Sequence, residues 1–253
     1  VQIGGTVAVI TGGGSGIGRA MALALAREGA RGIAIGDIDV QGGEETVRLI
    51  EEAGSRGLFL RTDVTDAAQI EALLDQTIAQ FSRLDILCNN AGIGEPGNLF
   101  AEDADIESFT RLVAINLTAV ILGTRLGVLK MDHLGRGGVI VNTASMGGLR
   151  PMPTSPVYAA TKAGVVHFCR SLRHLHEEMN IRVNAICPSF VDTPLVWRAG
   201  PERVQALAGQ MGLLKPELVA QGLIELIEDD TRAGAVMRIT SQRGIDYARD
   251  ISP

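Results

Sequence analysis

Seven short runs of aliphatic and β-branched residues punctuate the chain, at 7–10, 33–35, 58–60, 86–88, 139–141, 183–186 and 236–239, with stretches of helical periodicity between them. Runs that are apolar on both faces need cover on both sides, and strands that alternate with helices are joined by crossovers. The pattern therefore predicts an α/β chain with a parallel sheet covered by helices on both faces, the doubly wound arrangement. A β/α barrel needs an eighth strand, and none is legible. No linker divides the chain, so residues 1–253 read as a single domain.

Three helical stretches carry position-specific signals. After the first run, Ile17, Met21 and Leu25 recur four apart, and Gly29 is placed to stop the helix. A long helix is expected from about Ile106 to Met131. Another begins at Pro156, with Ser155 as its cap and the proline at the first helical position, where a missing N–H is harmless. Between Asp192 and Glu217 the periodicity is broken by Pro194, Gly200, Pro201, Gly212 and Pro216, and this segment reads as a mobile cover over a site.

Charge and cysteine content narrow the function classes. A net charge of −6 offers no basic field to a phosphate backbone, so no nucleic-acid partner is expected. Cys88, Cys169 and Cys187 are widely spaced among apolar neighbours; they form neither a disulfide framework nor a metal motif, which fits a reducing cytoplasm. His174 and His176 are two apart and point to different helical faces, so no metal site is expected. No charged leader precedes the first run and no apolar stretch reads as long enough to span a bilayer, so no membrane partner is expected.

The chemistry begins directly after the first run, in Thr11-Gly12-Gly13-Gly14-Ser15-Gly16-Ile17-Gly18. Glycines between a strand and a helix let the main chain approach a pyrophosphate, which the N–H groups at the helix start stabilise. Asp37 follows the second run, 19 positions after Gly18, and its carboxylate suits the hydroxyls of an adenosine ribose. A 2′-phosphate there meets a like charge, and neither Ser15 nor Ile38 offers a cation, so NAD is favoured over NADP.

A second constellation lies in Tyr158-Ala-Ala-Thr-Lys162. Residues four apart share a helical face, so the ammonium can approach the phenol or a bound ribose. A tyrosine acting as a base near neutrality needs its pKa well below the ordinary value of about 10, and a neighbouring cation lowers it. Ser145 follows the fifth run, at the carboxyl end of the predicted sheet where ligands bind, and is placed to polarise a carbonyl. No nucleophile-elbow pattern surrounds it, which disfavours a hydrolase. Trp197, the single tryptophan, lies in the suspected cover and suits either a substrate or a subunit contact.

The glycines at 12, 16 and 18, then Asp63-Val64, Asn89-Asn90-Ala91-Gly92, Asn116, Ser145, Tyr158 with Lys162, and Pro188 through Thr193 occur in the order and spacing of the short-chain dehydrogenase/reductase family. The chain resembles that family over essentially its whole length. The resemblance implies a single-domain Rossmann fold with a seven-stranded parallel sheet. It also implies that Tyr158 handles the substrate proton, Ser145 positions the substrate oxygen, Lys162 binds the cofactor ribose and tunes the tyrosine, and Asn116 holds a relay water. It places Asp63 and Val64 at the adenine, Asn90, Ala91 and Gly92 along the cofactor, and Pro188, Val191 and Thr193 at the nicotinamide carboxamide. Ser189 stands where the family usually has glycine, which leaves the local main chain open to question. The C-terminal segments Gly222–Asp230 and Gly234–Thr240 resemble the 15-hydroxyprostaglandin dehydrogenase branch. The expected activity is NAD-dependent hydride transfer with a small-molecule secondary alcohol or ketone, in a homodimer or homotetramer formed through the two long helices. An NADPH-dependent carbonyl reductase and a non-catalytic dinucleotide sensor or scaffold are the alternatives.

Overall fold

The structure, a computed structural model, describes residues 1–198 and 200–249. Its elements run β1 (Val7–Thr11), α1 (Gly16–Arg27), β2 (Gly32–Asp37), α2 (Val40–Glu52), β3 (Arg56–Arg61), α3 (Ala67–Phe81), β4 (Ile86–Asn89), α4 (Ile106–Val113), a π-turn (Ala114–Thr118) and α5 (Ala119–Leu134). They continue with β5 (Gly138–Thr143), α6 (Pro156–Ser171), α7 (Leu175–Met179), β6 (Ile181–Pro188), α8 (Pro194–Trp197), α9 (Pro201–Met211), α10 (Pro216–Glu228), β7 (Val236–Thr240) and β8 (Gly244–Tyr247). The strands lie in the order β3-β2-β1-β4-β5-β6-β7-β8, and β1 to β7 pair in parallel. The chain changes direction across the sheet between β1 and β4, and such a switch point opens a crevice at the carboxyl ends of the strands.

Side-chain alternation along the strands builds two cores. Ala8 and Ile10 of β1 face Met21 and Leu25 of α1, Ile50 of α2 and Leu223 and Leu226 of α10. Val9, between them, faces the opposite layer with Leu73 and Leu74 of α3, Val120 of α5 and Val165 and Val166 of α6. Carboxylates start several of these helices at the expected cap position: Asp39, Asp66 and Asp105 accept main-chain N–H groups of α2, α3 and α4.

The seven-strand expectation is corrected by one. β8 pairs antiparallel with β7 and closes the edge, its Asp246 taking two hydrogen bonds from Arg238 at 2.8 and 2.7 Å. The long helix is also not uniform: α4, the π-turn and α5 form one continuous element with a wider turn in its middle. At 106–134 it is apolar and long enough to cross a membrane by length and composition, contrary to the sequence expectation. Half of its most apolar window is buried, as in a core helix packed on a sheet.

Beneath the crevice, β4 and β5 are tied to their covering helices by polar groups. Asn89 Nδ2 donates to Asn142 Oδ1 at 2.8 Å and to Thr124 Oγ1 at 3.2 Å; Asn142 Nδ2 donates to Thr124 Oγ1 and to Cys169 Sγ. All four residues are buried, so losing one member strands the others without water. Asn142→Ala is expected to destabilise the protein by about 2–3 kcal/mol, read as a lower urea midpoint with an unchanged slope.

Candidate active site

The carboxyl ends of β1, β2, β4, β5 and β6 open on a cleft of about 340 Å³. At one end, Gly12 and Gly16 adopt the left-handed main chain, with φ of 66° and 51°, that places the loop between β1 and α1. A Cβ on Gly12 would lie 2.7 Å from Ala91 Cα, and one on Gly18 would lie 2.2 Å from the Gly12 carbonyl oxygen. The main chain therefore approaches itself closely here and leaves the helix start open to the cleft. Asp37 Oδ2 accepts the Gly14 N–H at 2.8 Å and Oδ1 accepts that of Asp39 at 3.0 Å, which fixes the carboxylate at the cleft wall. Ser15, Ile17, Ile38, Asp63 and Val64 complete this end. The Asp63 carboxyl is held below its usual range, chiefly by the Thr65 hydroxyl.

Asn90 crosses the switch point. Its Nδ2 donates to the Thr11 and Gly12 carbonyls at 3.2 and 3.1 Å, and its Oδ1 accepts the Thr143 hydroxyl at 3.2 Å. Thr11 Oγ1 in turn accepts the Asn90 and Ala91 N–H groups. A single side chain thus registers the glycine loop against the ends of β4 and β5.

The other end of the cleft gathers Ser145, Tyr158, Lys162, Pro188, Ser189, Val191 and Thr193. Lys162 is buried; its Nζ donates to the Thr143 carbonyl at 2.7 Å and lies 5.8 Å from the centroid of the Tyr158 ring. Burial holds its pKa at about 8, well below the usual ammonium value. Burial also pushes Tyr158 upward, and the Ser145 hydroxyl partly opposes that. Among the protein groups, desolvation outweighs what lowers it. Cys187, which interacts with the Ser145 main chain, is kept a thiol by burial, its pKa pushed up to about 12.

Asn116, expected to hold a relay water, is tied to the loop after β4. It sits in the π-turn, fully buried, and both polar atoms of its side chain are taken by one peptide: Oδ1 accepts the Ile93 N–H at 2.9 Å and Nδ2 donates to the Ile93 carbonyl at 2.8 Å. Each of the two atoms keeps a second hydrogen-bonding position. Ser189 departs from glycine without strain, since its φ is not positive, and its N–H pairs with the Ile239 carbonyl. Ser155 stands at the N-cap of α6, but its side chain makes no cap bond. Glu95 does so instead.

Across the cleft, Pro194, Leu195 and Val196 of α8 and Arg198 just after it line the rim, and the segment read as a cover carries α8 and α9. Trp197 takes no part in this lining and donates from Nε1 to Asp192 at 2.6 Å. Arg111 and Ile93 also line the cleft and were not legible as site residues, because a helix arginine and a loop isoleucine carry no motif.

The sequence profile of the short chain dehydrogenase family matches residues 6–203. The chain is 36% identical to 15-hydroxyprostaglandin dehydrogenase [NAD(+)] of Mus musculus over 100% of its own length and 97% of that protein. It is 39% identical to cis-4-hydroxycyclohexanecarboxylate dehydrogenase of Sinomonas cyclohexanicum, covering 92% and 94% of the two chains. A crystal structure of levodione reductase superposes with a TM-score of 0.87 at 32% identity, over 95% of this chain and 98% of that one.

Lys162 also makes a stability prediction. Its folded pKa, about 8, lies below the ordinary 10.5, so between these values the unfolded chain binds more protons and this group favours folding increasingly as pH rises. The stability difference between Lys162→Met and the unmodified protein is expected to move by about 3 kcal/mol in favour of the lysine form from pH 7 to pH 10.5, read by urea unfolding.

Proposed function

The chain belongs to the short chain dehydrogenase family, and from that premise we propose that it is an NAD-dependent oxidoreductase acting on a secondary alcohol or the corresponding ketone. The observation that carries the reading is the convergence of Tyr158, Lys162 and Ser145 on the cleft end opposite Asp37 and the glycine loop. Gly12, Gly16 and Gly18 pack too closely on Ala91, Thr193 and the Gly12 carbonyl for any Cβ, and the tight loop they form before α1 fits a pyrophosphate, while Asp37 fits a ribose that carries no 2′-phosphate. Ile38, Asp63 and Val64 would hold the adenine end, and Pro188, Val191 and Thr193 the nicotinamide end. The relative named as NAD-dependent supports this choice of dinucleotide.

When bound, the dinucleotide supplies the site that accepts or donates hydride. The rest of the work falls to side chains. Tyr158 Oη takes the hydroxyl proton of an alcohol, or returns one to a ketone oxygen. Ser145 Oγ holds that oxygen in place, and it is itself oriented by the Gly147 N–H at 3.0 Å. The phenol is raised by burial, so its ionisation depends on positive charge brought near the ring, and Lys162 supplies the part that is built into the fold. The Thr143 carbonyl holds the ammonium in that place. The names of the relatives support a hydroxyl on carbon as the reacting group. Exposed Ile121 and Leu129 on α5 support association of copies through the long helices.

Two measurements test the reading. Tyr158→Phe is expected to lose turnover by at least about 100-fold on any secondary alcohol that the unmodified protein oxidises, with NADH affinity within about twofold; retained turnover rejects the assignment. Asp37→Ala is expected to lower the NAD-to-NADP ratio of kcat/KM by about tenfold or more, and an unchanged ratio removes the carboxylate from cofactor choice.

A further inference from the structure

We propose that Glu95 is a positioning residue for Tyr158: its carboxylate fixes the first turn of α6, where the tyrosine sits, to the loop that borders the cleft. This rests on Tyr158 being the proton-handling group.

The first turn of a helix carries N–H groups that have no partner within the helix. In α6 the cap side chain, Ser155, leaves them unbonded, and Pro156 has no N–H to offer. The two that remain go to one carboxylate. Val157 donates to Glu95 Oε1 at 3.2 Å and Tyr158 donates to Oε2 at 2.6 Å, across 62 and 63 residues of chain. An anion at a helix N-terminus is favourable both for charge and for hydrogen bonding. The cap therefore comes from the loop after β4.

That loop is itself held. Asn116 takes both the N–H and the carbonyl of Ile93, so only Gly94 separates that anchor from Glu95. A continuous tie runs from the π-turn through Asn116 and Ile93 to Glu95, and then into the peptide of Tyr158. Lys162, one turn further along α6, has its own anchor at the Thr143 carbonyl. Helix ends fray first, and Tyr158 lies within the first three residues of its helix. Without the carboxylate, the phenol loses its registration against Lys162 and Ser145 while the interior of the helix stays in place. A self-capping serine would hold the helix end equally well, but it would not tie it to the cleft wall.

The test measures Glu95→Ala and Glu95→Gln beside Tyr158→Phe, on a secondary alcohol that the unmodified protein oxidises with NAD. For Glu95→Ala, kcat is expected to fall by about tenfold or more, since small misplacements of a reacting group are costly, while NADH affinity stays within about twofold. The acidic limb of the kcat profile moves to higher pH, because a phenol further from the Lys162 ammonium ionises less readily; loss of the Glu95 charge acts the other way, and Glu95→Gln, which loses the same charge but keeps an acceptor, separates the two effects. Glu95→Gln keeps one acceptor oxygen and is expected to fall between the two. A Glu95→Ala protein with unchanged kcat and an unchanged limb overturns the proposal, even if its melting temperature drops, since that drop alone marks a purely structural cap. If Glu95→Ala does not fold, Glu95→Gln decides: an unmoved kcat and limb in that variant overturn the proposal as well. An inactive Tyr158→Phe beside a fully active Glu95→Ala defeats this inference alone, whereas an active Tyr158→Phe defeats the assignment of the tyrosine.

Discussion

The site depends on Asn90 bridging three strand ends. At a switch point the chains leaving β1 and β4 turn to opposite faces, so the carboxyl ends of the strands lose their ladder partners where the ligand is to lie. Exposed peptide groups there need bonds from elsewhere. The Asn90 amide supplies them on both sides, donating to the Thr11 and Gly12 carbonyls and accepting the Thr143 hydroxyl. The same Thr143 gives its carbonyl to Lys162. Three hydrogen bonds in series therefore link the main chain of the dinucleotide loop to the ammonium beside Tyr158, and both ends of the cleft share one frame.

Electrostatics in that frame run against the free protein. Lys162 is a cation taken out of water with a neutral carbonyl as its hydrogen-bond partner, and Tyr158 is raised by burial. Neither group is in its most favourable ionisation environment. Such an arrangement is poor for stability and suited to a site that completes its charge balance on binding, since preorganised groups need no rearrangement when charge develops on the substrate oxygen. The buried amide network of Asn89, Asn142 and Thr124 beneath the cleft carries no such strain, because its polar atoms find partners within the network.

What was legible in the sequence follows from how local each signal is. The seven parallel strands were legible because both-face burial writes itself as unbroken aliphatic runs. β8 was not: Gly-Ile-Asp-Tyr is short, carries a charge, and gains its strand form from pairing with β7 and from Arg238. The glycine loop, Asp37, Ser145, Tyr158 and Lys162 were legible because their chemistry lies in fixed spacings along the chain. The tie from Asn116 to Ile93 was not legible, since the two are 23 residues apart and no spacing rule announces it. Ser155 had every local mark of a cap, and a more distant carboxylate displaced it. In each miss a tertiary hydrogen bond overrode a local preference.

The arm at 190–214 obeys the same rule, and its placement bears on how the two ends of the cleft communicate. Poor periodicity at 192–217 reads as a mobile cover, and that cover is tied at its base: Leu214 N–H donates to the Phe190 carbonyl, and Asp192 N–H donates to the Leu214 carbonyl, both at 2.8 Å. From that base Thr193 reaches across the cleft until a Cβ on Gly16 would lie 2.9 Å from its methyl group. The glycine at the start of α1 is thus needed for the arm to seat as well as for a phosphate to approach. Because loop and arm meet at one point, a group that settles on the glycine loop also meets the residues that border the substrate end.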